Sequence, residues 1–420
     1  MYRVQDSAAL VAGHRTLLRS RSGANVSRTV VLLGITSLLT DISAEMVATV
    51  LPLYLVYVAG FTPLQFGIID GLYRGAAALV GLASGLAADR RRRHKEVASI
   101  GYGLSAACKL ALVMAGGAVS AIGAIVMLDR VGKGIRTAPR DAMISLSSPR
   151  DRLGAAFGVH RAMDTTGAMV GPLLAFGLLA LAPLAFDSVF LVSFCFALAG
   201  LGVIVLLVPS RPARVVEAAP AVGLREMGRL LTQPRFRGVV VAAVALGLTT
   251  ISDAFLYLAL QRHLDLPATA FPLLFVGASL AFMLLAVPAG RLADRVGRGR
   301  VFLLGYVALL PVYASLVLPA GGAIALGGCL ALVGASYAAT DGVLAALGAE
   351  TLAEEVRASG LAVIGTATNA ARLLASVAFG TIWTVAGLDT AVLAAAAGLV
   401  VALAGTAVVF WRTREVRADG

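Results

Sequence analysis

Gly290-Arg-Leu-Ala-Asp294-Arg295-Val-Gly297-Arg298-Gly-Arg300 is a short run of charge set between two long apolar stretches. The same pattern stands 205 residues earlier, as Gly85-Leu-Ala-Ala-Asp89-Arg90-Arg-Arg-Arg93-His-Lys95. Gly, Asp, Arg and the later basic positions coincide at that one offset, which also relates Arg152 to Arg357. Only 14% of the chain is charged, so two landmarks at one spacing mark a duplicated unit. Duplicated halves made of apolar helices are the sequence sign of a transporter with its site between the halves.

Around these two loops the 420 residues are 59% apolar. That composition excludes a soluble enzyme, a disordered chain and a disulfide scaffold. About 20 mostly apolar residues cross a bilayer, and twelve runs reach that length. They are 29–58, 63–88, 97–118, 120–146, 153–181 and 188–208, then 238–261, 267–291, 301–318, 323–349, 359–386 and 390–411. The predicted fold is an all-α membrane protein of twelve transmembrane helices in two pseudo-symmetric six-helix bundles. The bundles are 29–208 and 238–411, with an N-terminal segment 1–28, a linker 209–237 and a tail 412–420. Within the linker, Leu224, Met227, Leu230 and Leu231 recur at helical spacing, as in a short helix on the membrane surface. The three cysteines, Cys108, Cys195 and Cys329, sit inside apolar runs and are not placed for an extracellular disulfide.

The net charge of +12 has a topological reading. With the N-terminus in the cytoplasm and sides alternating, 26 of the 35 Lys and Arg residues lie in or against cytoplasmic segments, and one, Arg262, lies outside. That asymmetry is the positive-inside rule, and it predicts both termini and the linker on the cytoplasmic side. It accounts for the basic balance without nucleic acid as a partner. Arginine far exceeds lysine, of which there are three, and Ala and Gly are abundant, as in a GC-rich bacterial genome. The expected location is the plasma membrane, the inner membrane in a Gram-negative source.

The loop pattern G-x-x-x-D-R-x-G-R-x-R, once per half, resembles the signature loop of the major facilitator superfamily. Its second copy is complete, and the first carries Arg92 where the family prefers glycine. The fourth run holds Arg130-x-x-Lys133-Gly134, similar to the family's R-x-x-Q-G motif with Lys133 in place of glutamine. The fifth holds Gly167-x-x-x-Gly171-Pro172-x-x-Ala175, similar to the G-x-x-x-G-P-x-x-G motif of the antiporter branch, with Ala175 departing. The resemblance covers nearly the whole chain, and it is to bacterial drug and metabolite efflux members. It implies alternating access, with the first and fourth helices lining a central cavity and Arg130 linked to proton coupling. The physical reading of these motifs is independent of the family. Asp89 and Asp294, where helices leave the membrane, can latch onto a helix N-terminus or an arginine of the other half. Gly167 and Gly171 form a small-residue face for close helix contact, and Pro172 removes a backbone bond.

Sixteen Asp, Glu, Lys and Arg residues fall inside the runs, Arg291 at the end of the eighth being counted with the cytoplasmic side; each costs about 2.5–3.5 kcal/mol on the insertion scale, and this makes them pathway candidates. Asp41 and Glu45 lie one turn apart, as do Asp70 and Arg74, which can pair directly. Asp129, Lys133, Arg136 and Arg140 share one face of the fourth run, with Asp141 beside them, and the fifth carries His160, Arg161 and Asp164. The second half is sparser, with Asp253, Asp341 and Arg372. Lys109, alone on the third run, is expected to snorkel toward the membrane surface. Asp41 or Glu45 is the expected proton carrier, with Arg130 or Lys133 as its mobile counter-charge.

The leading functional reading is a monomeric secondary active transporter of a small organic solute, driven by protons in the direction of efflux, with no cofactor. The alternative is uptake of an organic anion or metabolite by proton symport. An enzyme is not expected. Gly132-Lys133-Gly134 lacks the upstream glycine and the Ser/Thr of a phosphate-binding loop, and neither HExxH nor GxSxG occurs.

Overall fold

The computed structural model describes residues 27–73, 93–116, 118–149, 153–210, 228–318, 322–352 and 356–415. The described residues are helical almost throughout, as lipid requires of a backbone that must satisfy its own polar groups. In the first half the helices are α1 (Arg28–Leu53), α2 (63–73), α3 (His94–Met114), α4 (Val119–Leu146), α5 (Leu153–Leu181) and α6 (Phe186–Gly202). In the second they are α7 (Pro234–Leu248), α8 (Asp253–His263), α9 (Phe271–Val296), α10 (Arg298–Val307), α11 (Leu309–Ser315), α12 (Ala323–Glu350), α13 (Arg357–Ala386) and α14 (Leu388–Glu415). Ser27 caps α1 by accepting from the Val30 amide at 3.3 Å, and α1 and α6 each run out through a π turn.

Among the described residues nine stretches are long and apolar enough to cross a membrane. The other three expected runs differ for identifiable reasons. The second is described only as far as Tyr73. The fourth is a continuous 28-residue helix, but its charged face keeps it from being apolar enough. The ninth is divided at Ala308, because Pro311 has no amide to return to the carbonyl of Val307.

The expected continuous seventh run is also divided, into α7 and α8. The hydroxyls of Thr249 and Thr250 both donate to the Leu246 carbonyl at 2.9 Å, and Ser252 then caps α8 by accepting from Phe255 at 3.4 Å. Hydroxylated residues compete with the helical backbone in this way. The break makes Asp253 the first residue of α8.

In the first half α1 packs on α5 and α6, and α3 packs on α4 and α6. In the second, α12 packs on α9 and α10, and α13 on α7 and α14. The helices leave two ends. One carries the short turns near residues 59–62, 182–185 and 264–267 and is here termed the turn face; the other, with residues 27, 208–210 and 415, is the linker face.

At the turn face α2 lies directly on α13. A Cβ at Gly71 would stand 3.0 Å from the Leu373 carbonyl oxygen, and at Gly67 it would overlap that of Ser376. Gly380 meets the Pro63 carbonyl equally closely. Ser376 Oγ donates to the buried Asp70 carboxylate at 2.7 Å, the Leu64 amide to Thr384 at 2.9 Å, and Tyr57 to Gln261 at 3.0 Å. Phe255 stacks edge-on to Phe66 with centroids 4.8 Å apart, and packs against Phe379 and Trp383. These contacts close the turn face between the halves.

Candidate functional site

Glycine decides how the site is assembled. Gly167 and Gly171 of α5 let the Leu38 and Ile42 carbonyls of α1 approach so closely that a Cβ at Gly171 would be 2.6 Å from the Ile42 oxygen. This contact sets Asp41 against α5, with its Cβ 3.2 Å from where a Gly167 side chain would begin. On the other flank Gly101 of α3 and Gly132 of α4 meet backbone to backbone and fix the rotation of α4.

Three helices therefore converge on one polar cluster. The Asp41 and Asp164 carboxyls act on each other across the contact of α1 with α5. Arg136 of α4 lies 3.8 Å from Asp41, and Arg140 lies 3.8 Å from Asp164 and 2.9 Å from Asp141. Arg161 reaches Asp164 at 3.3 Å. One turn below, Ser37 Oγ lies 2.9 Å from His160 Nε2 and accepts from Arg140 at 3.2 Å. Asp41, Arg136, Arg140, His160 and Asp164 are all buried.

A second cluster joins α3 to α4. Asp129 receives both Lys109 and Arg130, and the Arg130 guanidinium lies 3.8 Å from the centre of the Tyr73 ring. Lys109 does not snorkel: it is 3% exposed and paired, because α3 turns this side chain toward α4. Of the two expected counter-charges, Arg130 is engaged by Asp129 and Tyr73, while Lys133 acts on Asp41, as does Arg136 at 3.8 Å.

Glu45 and Lys133 are half-buried. Lys133 acts electrostatically on both Asp41 and Glu45, yet among the described residues neither Lys133 nor Glu45 closes an ion pair. In the second half Tyr337 donates to Asp253, and Arg372 lies 3.7 Å from Asp341. Asp70 belongs to the turn-face contact, while its expected partner Arg74 lies outside the described residues.

Of the repeated loop, Gly85, Asp89 and Arg90 lie outside the described residues, and Arg93 is exposed at the start of α3. In the second copy Asp294 pairs with Arg298 at 3.2 Å, and Arg298 with Glu350 at 2.5 Å. Both bonds stay within the second half. Gly297 ends α9 and opens α10 with φ 107, a conformation that favours glycine. Arg295 is exposed, and Gly290 has open space around it. Pro172 is buried in α5. Sequence reading passed over Ser37, Tyr73, Tyr337 and Ser376; only Ser37, one turn before Asp41, carried a positional signal.

The sequence model of the Major Facilitator Superfamily matches residues 33–376, with a further match over 239–419. The chain belongs to the major facilitator superfamily. An uncharacterized MFS-type transporter of Methanocaldococcus jannaschii is 30% identical over 377 residues, covering 85% of this chain and 89% of that one. An uncharacterized protein of Mycobacterium tuberculosis is 34% identical over 162 residues, 39% of each chain. Among solved structures, the D323A mutant of the nucleoside transporter NupG superposes with a TM-score of 0.77 at 14% identity, over 91% of this chain and 100% of that one. A bacterial homolog of the human lysosomal transporter Spinster, inward-facing and unoccupied, gives 0.70 at 14% identity, over 92% and 97%. These structures share the superfamily fold. This member is therefore a multi-pass membrane transporter.

Proposed function

We propose that this superfamily member is a monomeric proton-coupled secondary transporter that exports a small organic solute by alternating access. The observation that carries the reading is the Asp41, Asp164 and Arg136 convergence. Two neighbouring carboxyls that act on each other favour sharing one proton, because two like charges side by side are unfavourable. Arg136, still 3.8 Å away, is the counter-charge that takes the proton's place when the halves move. Asp41 is thus the carrier, Asp164 its partner, and Glu45 is left for the solute.

The arginine bias supports a cytoplasmic linker face. With the turn face closed by α2 on α13, the described conformation is then the inward-facing one. One charge moved through about 100 mV supplies roughly 2.3 kcal/mol, enough for roughly a fifty-fold solute gradient without ATP.

The test uses reconstituted protein with an imposed pH gradient. Asp41→Asn and Asp164→Asn each abolish gradient-driven flux and spare counterflow exchange, which moves no net proton. Full driven transport in both variants refutes the assignment. Solute moving with the proton instead of against it establishes uptake by symport.

A further inference from the structure

The described charges inside the helices are almost all engaged. Asp41 faces Arg136, Asp164 has Arg140 and Arg161, Asp129 has Lys109 and Arg130, and Asp341 has Arg372. Glu45 on α1 and Lys133 on α4 are the exception: among the described residues neither makes an ion-pair contact, although each lies in the other's field and Lys133 also in that of Asp41. Gly171 packs α5 against the Glu45 Cβ, where a side chain would begin 3.0 Å away, so Glu45 stands at a fixed point of the bundle. Charge within a membrane span that no partner contacts directly is costly, and such residues mark ligand pathways.

We propose that the solute is a zwitterion of the amino-acid type, its ammonium meeting Glu45 and its carboxylate meeting Lys133. A solute with one charge would neutralise one of these groups and strand the other. An uncharged solute would neutralise neither. A zwitterion completes both and brings no net charge, which leaves charge movement to the proton at Asp41. The inference rests on the transport reading above and adds the chemical class of the solute.

The experiment offers proteoliposomes of the full chain a defined mixture of matched compounds, with mass spectrometry of the lumen. The mixture contains α-amino acids, the amines lacking their carboxylate, the acids lacking their ammonium, and uncharged N-acetyl amides. Wild type is expected to move zwitterions and to discriminate against the other three classes. Glu45→Gln lowers zwitterion flux about thirty-fold or more, the usual effect of removing one member of a desolvated charge pair, and begins to admit the acids. Lys133→Gln does the reverse and admits the amines. Flux confined to singly charged or uncharged compounds overturns the proposal, as does the absence of zwitterion flux from the mixture. Variants that lower all classes alike, with flux recovered in the Glu45→Gln/Lys133→Gln double variant, also overturn it, because the two groups then serve only each other. A protonophore arm separates the two readings: zwitterion flux indifferent to the pH gradient refutes proton coupling and leaves the solute class standing.

Discussion

Substituting Gly67 by leucine wedges the turn face open. The Cβ alone would overlap the Ser376 carbonyl oxygen and stand 3.3 Å from Phe255 Cζ, where ordinary contact begins at 3.4 Å. The remaining three carbons of leucine have nowhere to go without moving α2 off α13. Overpacking of this kind costs about 1–3 kcal/mol. The cost falls on the conformation in which α2 and α13 touch, and a difference of about 1–3 kcal/mol shifts a two-state population about 5- to 150-fold. Gly67→Leu therefore enriches the state open at the turn face, and Gly67→Ala does so less. The assay is the distance between spin labels at Thr62 and His263, one on each half, in a chain whose three native cysteines are replaced. A longer-distance population grows in the order wild type, Ala, Leu. A distribution in Gly67→Leu identical to wild type, in protein that folds and inserts normally, refutes the reasoning.

Lys109→Met lowers the thermal midpoint in detergent, because it removes one of two cations from a buried carboxylate, a class of change costing up to about 3–5 kcal/mol; Lys109→Arg retains most of it, and an unchanged midpoint in the methionine variant contradicts the pairing. Asp89→Asn and Asp294→Asn each lower transport while leaving expression and insertion normal; wild-type rates in both reduce these aspartates to anchors at the membrane surface. A cysteine at Ser210 stays unlabelled by an impermeant maleimide in intact cells, and efficient labelling from outside reverses the topology.

Lipid makes the local sequence unusually informative. An apolar run long enough to cross the bilayer has few alternatives to a helix, so the helical class, the repeat at offset 205 and the positions of the buried charges all follow from the order of residues along the chain. The small-residue face of Gly167 and Gly171 was legible for the same reason, since helical spacing alone defines it. The partners were not. Whether Asp41 meets Arg130 or Arg136 depends on the rotation of α4 about its own axis, and that is set by the glycine contact between Gly101 and Gly132, on two different helices. Lys109 reads as a lone charge along α3 and becomes a paired one only when α4 presents Asp129. The closure between Gly67 and Ser376 joins positions some three hundred residues apart. Hydropathy acts on each segment alone and so determined which segments enter the membrane; steric fit and charge pairing act between segments, and only the tertiary structure decided which groups meet.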